Sequence, residues 1–489
     1  MDDYREDWEG LLGAWRERTA RAQAMGGEER VARQHARGRH TARERIAALC
    51  DPDSFCEYGA LAGGQHPGGH EPVAADALVG GTARVNGNPV VLFAEDFTVQ
   101  GGSIGHPNAA KRARLVRLAL EQGLPLLMLL DGAGERASNQ GERYPHAPGD
   151  LQLLADLQGQ VPTVALVLGT SAGHGALAGM FADLVIMLEG SALFSAGPPL
   201  VKAAMGIDTT AAELGDARMH TRDSGVAHNL CASEADCFAT ARYFLSLLPP
   251  RRGADLPEVA QGKTTQPYRC EALAGLIPPR VDLPYDMRAV LRELVDRHTL
   301  FELQPDYGRT LVTALARIGG RPCLLVANQP AVQAGAITRD AALKARHFID
   351  MASRFGLPLV SLVDNPGVMP GPEAERSGVL RAAGEMFQAQ RRYRGRKVVV
   401  VLRKAFGFGS SVMGMNPWDQ QLVTLALPGI SLGGVPALGG AAASGADDDE
   451  ALAMQTRQSG AWLAADAMAV DRVVEPAALR NELIAALAT

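Results

Sequence analysis

A chain of 489 residues exceeds what one compact core supports, so two or three domains are expected. Hydrophobic residues make up 47% and charged residues 21%, as in an ordinary globular protein. A net charge of -6 excludes the basic footprint of a nucleic-acid-binding protein, while leaving room for a local basic pocket that takes an anionic small molecule.

The first residues, MDDYREDWEG, are acidic, with no basic stretch running into an apolar one. No secretory signal is read, and the expected location is cytoplasmic. Residues 1–48 are rich in Arg, Glu, Gln and Ala and predict charged helix. GGQHPGGHEP at 63–72 predicts a loop. VVLFAE, NAAKRARLVRLALEQG and LPLLMLLDG then alternate strand-like and helical patterns, which predicts an α/β layer architecture. The longest apolar runs, such as residues 124–132, are too short to span a bilayer, so no membrane association is expected. The Pro- and Arg-containing segment 249–283 is the candidate boundary, giving domains at 1–255 and 256–489. Cysteines at 50, 56, 231, 237, 270 and 323 form no CxxC pair, so six buried thiols and no metal site are expected. The acidic run at 446–451 is read as a solvated loop or helix start.

The chain repeats itself. Residues 83–134 and 316–367 align without a gap at an offset of 233, with 20 identities in 52 positions. Gly123/Gly356, Pro125/Pro358 and Asp131/Asp364 fall in one register. With a one-residue insertion the match continues, setting Gly173, His174 and Gly175 over Gly407, Phe408 and Gly409. Each half therefore has two small-residue turns leaving a strand: DGAG (131–134) and SAGHG (171–175), then DNPG (364–367) and AFGFG (405–409). Backbone N–H groups at such turns have no partner within a helix, and two that converge make an oxyanion hole for charge developing on a carbonyl oxygen. Small residues allow a carbonyl group to approach the backbone. GxSxG, HExxH and the phosphate-binding P-loop pattern are all missing, and Ser171 and His174 lie too close along one turn for a nucleophile–base pair. His106, His220 and His228 are read as ordinary polar or core histidines.

GRHTARERIAALCDPDSFCEYG (38–59), AEDFTVQGGSIG (94–105), GPPLVKAAMG (197–206), DSGVAH (223–228), LVDNPGVMPG (362–371) and VVLRKAFGFGSSVM (400–413) occur in an order that resembles the carboxyltransferase (β) subunits of biotin-dependent acyl-CoA carboxylases, the propionyl-CoA and methylcrotonyl-CoA enzymes above all. The resemblance covers roughly residues 30–480. It implies two crotonase-like domains, each a ClpP-like β–β–α superhelix, with the acyl-CoA bound by the first and carboxybiotin by the second. It also implies a homodimer or homohexamer, a separate biotin carboxylase and biotin carrier partner, and coenzyme A thioesters as substrates. The catalytic residues it implies are the backbone N–H groups of Gly173 and His174 for the thioester enolate, and of Phe408 and Gly409 for the biotin ureido oxygen. Ala172, Gly407 and Ser411 follow as neighbours of the substrates, and Gly134 and Arg136 as candidate acyl-CoA contacts.

The chain departs from the family pattern at these turns. His174 and Phe408 stand where the family places glycine, Ser410 and Ser411 follow, and residues 430–445 lack the usual segment. Two functions fit: carboxyl transfer from carboxybiotin to the α or vinylogous γ carbon of an acyl-CoA, or a biotin-independent decarboxylase or related acyl-thioester enzyme on the same scaffold.

Overall fold

The computed structural model describes residues 4–63, 73–136, 149–259, 269–415, 420–435, 450 and 458–488. The loop read at 63–72 thus lies outside the described residues except for Gly63, the acidic run at 446–451 except for Glu450, and residues 436–445 entirely. The chain divides into two compact units, Met1–Ser246 with Pro250–Arg252 and Leu247–Pro249 with Gly253–Thr489.

Unit 1 begins with the charged segment, which forms α1 (Arg5–Gln23), α2 (Glu28–Ala36) and α3 (Ala42–Leu49). A capping box starts α3: the Thr41 side chain accepts the Glu44 N–H, and the Glu44 carboxylate accepts the Thr41 N–H at 2.7 Å. The sheet that follows contains β1 (Cys56–Glu57), β2 (Leu78–Val85), β3 (Asn88–Glu95), β4 (Leu126–Gly132), β5 (Thr163–Ala172), β6 (Leu184–Leu188), β7 (Ala192–Phe194) and β8 (Asn229–Cys231). Its order is β1-β2-β3-β4-β5-β6-β8, with β7 paired to the end of β5. Asn86 and Gly87 turn the β2–β3 hairpin with φ of 52° and 78°, the left-handed pair that a two-residue hairpin loop requires. From β3 onward the pairing is parallel, so crossovers cover the sheet. The first crossover is α4 (His106–Gln122), which stops at Gly123 in the left-handed conformation. Strands β4 and β5 are buried on both faces, which is why they read as unbroken apolar runs. Later helices include α5 (Asp150–Leu157), α6 (Gly173–Gly179) and α7 (Glu234–Ser246).

Unit 2 repeats the plan with α8 (Met287–Leu294), β9 (Phe301–Leu303), β10 (Leu311–Ile318), β11 (Arg321–Asn328), α9 (Arg339–Phe355), β12 (Leu359–Asn365), α10 (Val379–Arg392), β13 (Lys397–Phe406), α11 (Gly407–Val412), β14 (Val423–Ala426), β15 (Ser431–Gly433) and β16 (Arg472–Val473). Its sheet runs β9-β10-β11-β12-β13-β14-β16, with β15 on β13 as β7 is on β5. From β2 to β4 every element has its counterpart 233 residues later, and from β5 to the start of α6 it is 234. Lys111 and Lys344, one such pair, are both buried with the amino group donating to backbone carbonyls, Ala75 and Leu78 for the first and Gln304, Tyr307 and Leu311 for the second.

A second repeated block, which the sequence reading did not find, joins α3 and β1 to α8 and β9 at an offset of 245. Arg43 pairs with Glu57 at 2.8 Å, and Arg288 with Glu302 at 2.7 Å. Asp51 accepts the N–H groups of the Asn86–Gly87 turn, and Asp296 accepts those of Gly319–Gly320. One expectation fails here. Five of the six thiols are buried, but Cys56 is exposed, because it lies on the edge strand β1, which pairs on one side only.

Candidate active site

Each half has an aspartate at the point where two parallel strands lose register. The β4–β5 ladder slips between Leu130 and Gly132, at Asp131, and the β12–β13 ladder between Val363 and Asn365, at Asp364. Both carboxylates are fully buried and replace the missing ladder bonds. Asp131 accepts the Thr170 N–H at 3.2 Å, and Asp364 accepts the Lys404 N–H at 3.2 Å. The aspartate N–H groups donate backward, to Glu95 Oε2 at 2.7 Å and to Asn328 Oδ1 at 3.1 Å. The strand ends that lead into the glycine turns are therefore pinned from both sides.

A buried guanidinium neutralises each aspartate, but it comes from a different place in each half. In unit 1 Arg45 of α3 reaches Asp131 at 2.8 Å and also Glu234 of α7 at 2.8 Å. Burial opposes the charge on Arg45, and the two carboxylates more than restore it, holding its pKa above the ordinary value. In unit 2 Arg403 of β13 serves Asp364 at 3.0 Å, while its Nη1 donates to the carbonyls of Arg280 and Leu283 at 2.6 and 2.7 Å. The counterpart of Arg403 is Gly169, where a Cβ would lie 1.9 Å from Asp131 Oδ1. The counterpart of Arg45 is Val290.

Just past these anchors lie the turns. Gly173 and Gly407, the first residues of α6 and α11, have φ of 55° and 58°, a conformation that glycine adopts without strain. In unit 1 the turn closes on Gly134 (φ 84°), where a Cβ would lie 2.8 Å from the Ala172 carbonyl oxygen. Gly134, Ala172, Gly173 and His174 therefore come together. In unit 2 a Cβ on Gly409 would lie 2.7 Å from both Asn365 Oδ1 and the Gly367 Cα. Phe408 is exposed, and the Ser410 hydroxyl donates to the Gly407 carbonyl at 2.7 Å. Gly407, Phe408, Gly409 and Ser411 share that turn. The N–H groups of a helix's first turn have no partner within the helix, so each turn offers backbone donors.

Arg136 is placed differently. Its guanidinium pairs with buried Asp76 at 2.6 Å and donates to the Ser103 hydroxyl and carbonyl at 3.2 and 2.9 Å, which ties down the loop beside Gly134. Ser171 is buried and does not bond to His174. Instead His174 Nε2 faces both oxygens of Asp150, at 2.8 and 2.9 Å. Asp150 is the first residue of α5 and is buried; burial pushes its carboxyl up, and the His174 contact more than offsets this, leaving it below the ordinary value. The sequence reading missed Asp150, Arg45, Glu95 and Asn328. Nothing in their spacing marks them, since only the packed sheet brings them to the turns.

A cavity of about 340 Å³ in unit 1 is lined by Arg30, Arg33 and Arg37 together with Phe97, Thr98 and Gly101. It adjoins the site through the backbone, because the Gly101 carbonyl accepts the Ala133 N–H at 3.0 Å. Among the described residues no three His, Cys, Asp or Glu side chains converge as a metal site would need, and no helix is long and apolar enough to cross a membrane.

Comparison with known proteins gives a consistent result. The carboxyl transferase domain family matches residues 33–488. The chain is 35% identical to the methylmalonyl-CoA decarboxylase subunit alpha of Veillonella parvula, over 80% of this chain and 77% of that one. It is 34% identical to the biotin-dependent acetyl-/propionyl-coenzyme A carboxylase beta5 subunit of Mycobacterium tuberculosis, over 94% and 88%. Its structure resembles that of the transcarboxylase 12S hexamer solved with hydrolysed methylmalonyl-coenzyme A, with a TM-score of 0.89, 32% identity, and coverage of 98% of this chain and 95% of that one. The chain thus belongs to the carboxyl transferase domain family, and it is an enzyme of the carboxyltransferase-subunit type found in acyl-CoA carboxylases.

Proposed function

We propose that this protein moves a carboxyl group between biotin and the α carbon of an acyl-CoA, on two crotonase-like domains descended from one. Unit 1 takes the acyl-CoA and unit 2 the biotin. The observation that carries this reading is the paired construction of the two turns. The same strand slip, buried aspartate and left-handed glycine precede Gly173–His174 and Phe408–Gly409. A reaction with two anions, one on a thioester oxygen and one on a ureido oxygen, calls for two such holes.

In unit 1 the N–H groups of Gly173 and His174 hold the thioester oxygen, and charge moves onto that oxygen as the α carbon becomes nucleophilic. Gly134 keeps the turn rigid behind them, and Ala172 leaves the approach open. In unit 2 Gly409 is packed against the Asn365–Gly367 turn, which fixes the position of the turn's N–H groups for the flat edge of a ureido ring. There the N–H groups of Phe408 and Gly409 hold its oxygen, with Ser411 in the same turn. Biotin, on a separate carrier protein, supplies the carboxyl group and then the base. Such a reaction needs a biotin carboxylase partner, and we propose a homodimer or homohexamer as the working form.

The Arg30–Arg33–Arg37 cavity is assigned to the phosphates of coenzyme A. Hydrogen bonds to a charged group contribute about 1.5–3 kcal/mol, and exposure places these at the low end. Arg33→Ala is accordingly expected to raise KM for the acyl-CoA about tenfold with kcat little changed, an effect that shrinks as salt is added.

The reading is tested by following CO2 release from malonyl-CoA and methylmalonyl-CoA with and without free biotin. Release that rises with biotin is expected. Release indifferent to biotin would instead favour the decarboxylase reading.

A further inference from the structure

The two turns differ in one respect that the transfer reaction does not use. Around the unit 1 turn stands a row of charged side chains whose unit 2 counterparts are uncharged. His174 pairs with Asp150, and a Cβ on the next residue, Gly175, would lie 2.8 Å from Glu95 Oε1. Glu95 in turn pairs with Arg112 at 2.5 Å, and Arg112 acts electrostatically on Asp150. Glu95 and Arg112 are fully buried, and Arg112 Nη1 has no hydrogen-bond partner among the described residues. The unit 2 counterparts of Glu95, Arg112 and His174 are Asn328, Ala345 and Phe408, all uncharged. One chain therefore supplies its own comparison: unit 2 builds its turn without counterparts of these three side chains.

We propose that His174, oriented by Asp150, is a base for the α hydrogen of the bound acyl thioester, giving the chain an α-hydrogen exchange activity on saturated acyl-CoA that needs no biotin. The inference rests on the reading of the Gly173 and His174 N–H groups as the thioester hole. A carboxylate only accepts, so Nε2 carries a ring proton, and in the neutral ring Nδ1 then keeps the lone pair. Nδ1 has no hydrogen bond among the described residues, and the side chain is 22% exposed, so the lone pair is available. The imidazole and the backbone N–H belong to one residue. A thioester oxygen held at that N–H therefore keeps its α carbon within a side chain's length of the ring.

The step balances without any other reactant. The α C–H bond breaks, its electron pair moves into the enolate held by the backbone N–H groups, and the proton passes to Nδ1. Asp150 stabilises the imidazolium so formed. The imidazolium exchanges its proton with water and returns one to the α carbon, which regenerates acyl-CoA and neutral His174. Phe408 could serve no such role in unit 2.

The test is deuterium uptake at C2 of acetyl-CoA and propionyl-CoA in D2O by the full chain without biotin, read by mass spectrometry. Uptake is expected in the wild type. A positioned base contributes on the order of 100-fold or more, so His174→Phe and His174→Gly are expected to lose at least that much. Imidazole in the buffer should restore uptake to His174→Gly, where it has space to bind, and not to His174→Phe. Calorimetric binding of the acyl-CoA and the thermal midpoint report whether each variant is folded. No uptake by the wild type, or undiminished uptake by a folded His174→Gly, overturns the inference. Uptake without carboxyl transfer to biotin would sustain it while removing the proposed function, and transfer without uptake would do the reverse.

Discussion

Replacing Arg45 with methionine is expected to destabilise unit 1 by about 3–5 kcal/mol, well above the usual cost of a single replacement. Arg45 is 1% exposed and is shared by two carboxylates, Asp131 and Glu234, that are themselves 0% and 6% exposed. Removing the guanidinium leaves two buried carboxylates without their shared cation, Asp131 with only the Thr170 N–H and Gln34, and Glu234 with only His40, which favours uptake of a proton or entry of water. Methionine fills much of the volume, so the loss reports charge rather than a cavity. Arg45→Lys should recover only part of it, because one ammonium cannot present the two-sided fork that spans both carboxylates. Urea unfolding, with amide exchange followed in β4 and β5, checks this. Stability close to that of the wild type would show that Asp131 is held by Thr170 and Gln34 alone.

The largest functional effect is expected from Gly409→Ala. The added Cβ would lie 2.7 Å from the Gly367 Cα and from Asn365 Oδ1, which itself accepts the Gly367 N–H at 2.8 Å. Backbone lies on one side of the intruding atom, so the α11 turn must move relative to the Asn365–Gly367 turn. A shift on the order of 1 Å in a positioning group costs about 100-fold in rate. Biotin-dependent transfer should fall by about that factor, while acyl-CoA binding, assigned to unit 1, stays as it was. Gly384→Ala, where nothing lies within 4 Å of the new Cβ, is the matched control and should transfer normally. Equal losses in both variants would contradict the assignment of the α11 turn to biotin.

Much of this arrangement could be read from the sequence, for a physical reason. Between Ala83 and Gly134 the repeat keeps Gly87/Gly320, Gly123/Gly356, Pro125/Pro358 and Asp131/Asp364 because hairpin, helix stop and strand slip each tolerate few residue types. The α3–β1 block escaped notice because its function is carried by isolated pairs. Arg43/Arg288, Leu49/Leu294, Asp51/Asp296 and Glu57/Glu302 persist, while the other residues between them changed and the offset moved to 245. The exchange of Arg45 and Gly169 for Val290 and Arg403 is invisible to any letter-by-letter comparison. In both halves one guanidinium meets one aspartate, but it arrives from a helix in the first and from the neighbouring strand in the second. His174 was legible as an oddity and not as half of a pair. Asp150 lies 24 residues away and meets it only because α5 packs on α6.

If both glycine turns act on one carboxyl group, the first at the thioester and the second at biotin, that group must pass from one to the other. The decisive measurement incubates the chain with free biotin and methylmalonyl-CoA labelled with ¹³C in its free carboxyl, and follows carboxybiotin by mass spectrometry. The label is expected on biotin, with Gly409→Ala suppressing it about 100-fold. Label lost entirely as CO2, with none on biotin at any concentration, would rule out the two-hole transfer.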